Sequence, residues 1–309
     1  MRFWLGLALG VAVGGGVAWW WMRPEETKPA AKEYPLLKYT IENLGRRIYG
    51  SEIVLDQEES DGVYRFHFDS DGKDVTGLAH IPGGCGKCPV IVQFRGYQEV
   101  EKYKSGGGTR RTAQEFAKAG FISLAPDFLG YGGSASPSAN VWEARFETYT
   151  TALNLLSAIS NWPLADFDRV GIWGHSNGGH IALAVLEITG KNYPTVLWAP
   201  VTAPFPYSVL YYTDDIEDHG KLLRKKLADF ERDYDAESYS VQNYLDLITA
   251  PILLQQGTAD DQVPAKWNQG LAKKLKNVEY VEYSGADHNL SLSWNRAMQD
   301  AVDFFKKSW

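Results

Sequence analysis

From residue 89 to 309, short apolar runs alternate with stretches patterned for helices, and this alternation limits the fold more than any other feature of the chain. Residues 89–94, 121–125, 170–173, 195–198, 251–255 and 278–282 carry strand cores, and residues 109–119, 141–159, 178–188, 266–275 and 294–306 carry helical spacing. Strands that are apolar throughout, separated by helices, predict a mostly parallel sheet flanked by helices on both faces, an α/β architecture. A hairpin precedes it: residues 63–68 alternate, Asp69-Ser70-Asp71-Gly72 turns, and residues 75–81 return. Residues 201–250 break the rhythm with an aromatic run containing Tyr207, Tyr211 and Tyr212, then a charged helical stretch. This reads as a cap-like insertion whose tyrosines line a substrate pocket, or as a solvated excursion.

The N-terminus is different in kind. Residues 3–22 hold no charge, enough helix to span about 30 Å of bilayer core. Trp19, Trp20 and Trp21 sit at its far end, where indoles favour the membrane interface, and Arg2 precedes it. Two readings are open, an uncleaved anchor and a cleaved signal peptide, and the tryptophans directly after the small residues Gly16-Val17-Ala18 favour the anchor. Both place the rest of the chain outside the cytoplasm. Residues 24–50 read as stalk and lead-in, and 51–309 as the folded domain. Cys85 and Cys88 lie on a glycine-rich loop, and in an oxidising compartment a disulfide is expected there; free thiols and a redox pair are the alternatives. A zinc site would need further ligands, and no second CxxC exists. A net charge of −7 argues against a general nucleic-acid binder, and no phosphate-loop or dinucleotide fingerprint is present.

The stretch GHSNGG, residues 174–179, falls between a predicted strand and a predicted helix. A serine on such a turn projects its hydroxyl above the sheet, with the N–H groups of the next helix beside it; elsewhere it is an ordinary turn residue. A reactive serine needs a base, and the base an orienting acid. Of the six histidines, His67 and His80 lie on the hairpin, His175 and His180 adjoin the serine, and His219 falls in the insertion. His288 follows the last strand, and Asp260 or Asp261 follows the strand at 251–255. Ligands meet α/β sheets at such carboxyl ends of strands. The chain order is Ser, Asp, His.

With these residues in view, the region from about residue 60 onward resembles the α/β-hydrolase superfamily, and within it the catalytic domain of the prolyl oligopeptidase family of serine hydrolases. GHSNGG is similar to that family's serine motif, GTADDQVP (257–264) to its G-x-x-D-x-x-V-P acid motif, and GADH (285–288) to its G-x-x-H turn. The resemblance selects Asp260 over Asp261 and implies a catalytic triad of Ser176, Asp260 and His288. It also implies an oxyanion hole made by the N–H groups of Tyr97 and Asn177. Here the chain departs from its relatives: Arg95-Gly96-Tyr97 stands where they often carry His-Gly-Gly or His-Gly-Tyr. Because the donors are backbone groups, the hole survives the change, and Arg95 is expected to form a structural ion pair. PDFLGYGGS (126–134) resembles a structural loop of the superfamily. The resemblance implies no metal and no organic cofactor. It leaves three functions: a carboxylesterase on small or aryl esters, a serine-type peptidase on short peptides, and a non-catalytic binding module. The large β-propeller of the long oligopeptidases has no counterpart before residue 60, which favours the esterase. For a peptidase, Asp214, Asp215, Glu217 and Asp218 are the acids available to hold a substrate ammonium. The oligomeric state is not readable from the sequence.

Overall fold

The computed structural model describes residues 32–213 and 216–309. The chain divides into Met1–Pro35 and Leu36–Trp309, and the sheet lies wholly in the second unit. The membrane segment expected over 3–22 is outside the described residues. Among the described residues no helix is long and apolar enough to cross a membrane.

Nine strands form one sheet: β1 (Val54–Ser60), β2 (Val63–Ser70), β3 (Lys73–His80), β4 (Cys88–Phe94), β5 (Ile122–Pro126), β6 (Ala165–His175), β7 (Thr195–Trp198), β8 (Ile252–Gly257) and β9 (Val278–Tyr283). Their order is β1-β2-β3-β5-β4-β6-β7-β8-β9. The pairs from β1 to β5 are antiparallel, and those from β5 to β9 are parallel. This is the mostly parallel α/β-hydrolase architecture.

The apolar runs became central strands because helices cover both their faces. Every residue of β5, β7 and β8 is buried. Alternate residues feed two cores: Val90 and Val92 enter the larger, Ile91 the other. The helices are α1 (Ile41–Gly45), α2 (Arg110–Lys118), α3 (Val141–Ile159), α4 (Asn177–Thr189), α5 (Tyr207–Leu210), α6 (Lys221–Glu231), α7 (Ala265–Ala272) and α8 (Trp294–Ser308). Helix α3 is capped by Asn140, whose side chain accepts from Trp142 and Glu143 N–H at 2.9 and 3.3 Å.

Two features differ from the sequence expectation, and a third decides between its alternatives. Strand β1, Val-Leu-Asp-Gln-Glu-Glu-Ser, has no apolar alternation because it is an exposed edge strand, where charge blocks further pairing. The compact unit begins at Leu36 rather than residue 51, since Leu36, Tyr39, Ile41 and Leu44 are buried in the larger core. The segment 201–250 is no solvated excursion. Phe205, Phe230 and Tyr239 are buried in that core, and the Phe205, Phe230 and Tyr239 rings pack 5.9, 6.4 and 4.8 Å from the Phe146 ring of α3. On the loop entering β4, a disulfide joins Cys85 to Cys88.

Candidate active site

Ser176 stands where β6 turns into α4. Its φ of 55° and ψ of −119° lie outside the usual regions for an L-residue, a strain worth about 1–3 kcal/mol. Neighbouring backbone enforces it. Ser176 N–H donates to Trp198 O at 2.9 Å, and its carbonyl accepts from Gly179 and Val201 N–H at 3.0 Å each. The glycines permit the approach of the elements: a Cβ on Gly178 would overlap the Phe94 carbonyl, and one on Gly174 would sit 2.6 Å from Gly178 O. Strands β4 and β6 and helix α4 therefore meet only because both positions lack side chains.

Asp260 and His288 come from the loops after β8 and β9, which are tied together. Ala259 N–H donates to Ala286 O at 2.9 Å, Thr258 N–H to Tyr283 O at 3.1 Å, and Gly285 N–H to Thr258 Oγ1 at 2.8 Å. His288 Nδ1 lies 2.9 Å from Asp260 Oδ2, and both side chains are buried. Asp260 Oδ1 accepts from Gln262 and Val263 N–H at 2.9 Å each, and Oδ2 also accepts from Gln256 Nε2 at 3.0 Å. Gln256 is fixed in turn by Asn268, and Asn268 by Thr202. Burial opposes ionisation of Asp260, but the His288 bond and the Val263 and Gln262 amides outweigh it and hold the carboxyl below its ordinary range. An ionised Asp260 only accepts, so it fixes the His288 proton on Nδ1 and leaves the Nε2 lone pair free for a proton. His175 Nε2 donates to His288 O at 3.1 Å. Burial and the adjacent His288 lower the pKa of His175 to about 4, so His175 adds no charge beside the His288 ring.

No hydrogen bond joins Ser176 Oγ to His288 among the described residues. Such contacts are often loose without substrate and tighten in the complex. Beside the serine, a Cβ on Gly96 would sit 3.0 Å from the Ser176 Cβ. Gly96, Tyr97 and Asn177 all line a cavity of about 310 Å³. Neither the Tyr97 nor the Asn177 N–H is spent on a hydrogen bond among the described residues. Two free amides beside a strained serine, with an imidazole oriented by a carboxylate, form an arrangement suited to acyl transfer. Among the described residues no cluster of three or more His, Cys, Asp or Glu is placed to hold a metal ion.

Residues 108–309 match the model of the prolyl oligopeptidase family. The chain belongs to the prolyl oligopeptidase family. The protein is thus a serine hydrolase, and the loops that carry Ser176, Asp260 and His288 all fall within the matched span. The chain is similar to an uncharacterized peptidase, YtmA, of Bacillus subtilis, with 28% identity over 76% of this chain and 89% of the relative. Among solved structures it is similar to an acetyl xylan esterase from Paenibacillus sp. R4, with a TM-score of 0.66, 20% identity, and 91% of this chain and 96% of that one covered. A puromycin-hydrolyzing peptidase of Mycobacterium tuberculosis matches with a TM-score of 0.61 and 19% identity, over 77% of this chain but 37% of that one. At these identities the structural likenesses show the fold alone.

Within this prolyl oligopeptidase fold the remaining expected residues take definite places. Tyr207, Tyr211 and Tyr212 are partly exposed and cluster with Trp267, the Tyr207 and Tyr211 rings 6.0 and 4.8 Å from its ring. Tyr212 O–H donates to Gln262 O at 3.3 Å, so the cluster flanks the acid loop. The ion pair expected of Arg95 is absent among the described residues. Arg95 donates to Gly96 O and Asp127 O at 2.9 Å each and stacks 3.9 Å over the Tyr131 ring. The Asp127 carboxylate is already occupied by Thr76, Tyr103 and Ser105 hydroxyls. The cavity also takes in His180, which the sequence placed only as a neighbour of the serine, and Arg145 and Tyr149, for which it held no signal.

Proposed function

We propose that the protein cleaves carboxylic esters by acyl transfer through Ser176, with His288 as general base and Asp260 as the group that orients it. The observation that carries this reading is the buried 2.9 Å bond between Asp260 and His288, set on a family scaffold that also presents Ser176 at the strained turn. His288 Nε2 takes the Ser176 proton as Oγ attacks the ester carbonyl. The oxyanion rests on the Tyr97 and Asn177 N–H groups, worth about 3 kcal/mol per donor. Collapse breaks the acyl C–O bond, and His288 returns the proton to the leaving alcohol. Water then releases the acid, with His288 again as base.

Ester rather than amide cleavage is favoured by what surrounds the serine. The cavity at Tyr97 and Asn177 is lined by no Asp or Glu among the described residues, whereas an amino-terminal exopeptidase needs an acid for the substrate ammonium. Of the acids in the insertion, Asp214 and Asp215 lie outside the described residues. Asp218 spends its carboxylate on Gly220 and Leu222 N–H at 2.9 Å each, and Glu217 lines a separate hollow with Leu222 and Lys226. Family membership and the peptidase relative support peptide cleavage as the second reading. Purified protein is expected to bind a fluorophosphonate probe and to turn over p-nitrophenyl esters with kcat/KM on the order of 100-fold above aminoacyl p-nitroanilides. Comparable efficiencies would move the assignment to the peptidase. An unlabelled protein would make the chain a binding module.

We also infer that residues 3–22 hold the protein in a membrane with its catalytic domain outside the cytoplasm. The uncharged run, its terminal tryptophans and the Cys85–Cys88 disulfide support this placement. The full chain should stay in membranes after carbonate extraction, with its domain open to external protease. A shortened soluble form would instead indicate cleavage and secretion, and a protease-protected domain would reverse the placement.

A further inference from the structure

The cavity past the Tyr97 and Asn177 amides contains an uncompensated positive charge. It runs from Gly96 to Arg145, Tyr149 and His180, with Phe128 and Tyr131 along its wall. Arg145, on α3, has no carboxylate within ion-pair distance among the described residues, and its Nε is buried without a hydrogen-bond partner. Arg145 Nη2 lies 3.4 Å from His180 Nε2. His180 Nδ1 faces Val201 O at 3.2 Å. A carbonyl only accepts, so Nδ1 carries the proton, and the Nε2 lone pair accepts from Tyr149 O–H at 2.9 Å, with Arg145 Nη2 as its longer neighbour. Burial, and then the Arg145 charge, keep His180 neutral, with a pKa of about 3. His180 therefore helps to aim the guanidinium without cancelling its charge. The positive end of α4 reaches the same cavity through Asn177. A partly buried cation with no carboxylate partner, in a pocket lined by no acid among the described residues, complements an anion.

The direction of ester cleavage identifies which part of the substrate meets it. His288 must return a proton to the leaving group, so that group faces the Asp260 and His288 loops, on the side of Tyr212 and Trp267. The carbonyl oxygen points at the Tyr97 and Asn177 amides. The acyl chain is left to extend into the cavity that these amides border. We propose that this cavity is an acyl pocket for chains ending in a carboxylate, so that the substrates are half-esters of dicarboxylic acids, with Arg145 the specificity-determining residue. The proposal rests on the ester-cleaving reading of Ser176.

The test uses two 4-methylumbelliferyl esters of adipic acid, one with the far carboxylate free and one with it methylated. Their kcat/KM ratio is measured for the wild type, Arg145→Gln and Arg145→Lys, with Ser176→Ala as control. The wild type should prefer the carboxylate by about tenfold or more, as expected for a charge-assisted contact. Arg145→Gln should lose most of that preference, and Arg145→Lys should keep part of it. A wild-type ratio at or below one, or a ratio undiminished in Arg145→Gln, overturns the proposal. Should the variants not accumulate, the wild-type ratio decides alone. Failure of the ester reading looks different: neither ester is turned over, or turnover survives in Ser176→Ala, and the pocket assignment then falls with it.

Discussion

Ser176→Ala is expected to lower kcat for ester substrates by roughly a million-fold, the scale seen when a triad serine is removed, and to abolish fluorophosphonate labelling. Stability should change little, because alanine keeps the Cβ and the Ser176 hydroxyl has no hydrogen-bond partner among the described residues. Ser176→Gly separates the two roles of the position. Glycine adopts positive φ without a steric penalty, so relief of the strain at φ 55° should raise stability by about 1 kcal/mol while the enzyme stays inactive. Chemical denaturation of the three proteins reads this directly. A glycine variant less stable than the wild type would mean that the serine is held there for packing, and ester turnover left within a hundredfold of wild type in alanine would remove it as the nucleophile.

The parts of the site that were legible in the sequence are the ones built from contiguous residues at strand ends. Ser176 follows β6 directly, and Asp260 and His288 each follow a strand within a short loop, so strand periodicity places them before any tertiary contact is known. The cavity was opaque for the opposite reason. Arg145 lies near the start of a helix whose charges read as surface, one turn before Tyr149, and only the packing of α3 against α4 brings both to His180. His180 was legible as a neighbour of the serine, yet its neutrality comes from burial and from Arg145. The same limit hid the role of Arg95. A guanidinium at a strand end suggests an ion pair, but the Asp127 carboxylate is saturated by hydroxyls, and Arg95 stacks on aromatic rings contributed by the loop residues Tyr103 and Tyr131. Strand β1 escaped notice because an edge strand is selected by charge, not by apolar alternation.

Asp260→Asn is the second large effect, and the surrounding donors dictate how it arises. Oδ1 receives two backbone N–H groups, from Gln262 and Val263. An asparagine oxygen must stay on that side, which turns its NH₂ toward His288 Nδ1 and Gln256 Nε2. His288 Nδ1 then has to accept, its proton moves to Nε2, and the atom that should receive the Ser176 proton already holds one. A fall in kcat of about 10⁴-fold is expected, as for a triad locked in the wrong tautomer, with fluorophosphonate labelling slowed in parallel. The NH₂ also faces the Gln256 donor, so some stability is lost near neutral pH. The pH dependence of that loss has a definite sign. Wild-type Asp260 is held below the ordinary carboxylate range, so its contribution is complete above that range and disappears as pH falls through the lowered value. Asparagine does not titrate. The stability gap between the two proteins should therefore be widest near neutrality and should narrow in acid. A gap that stays constant with pH would show that the Asp260 carboxylate acts through shape alone, and an unchanged kcat would show that it does not orient His288.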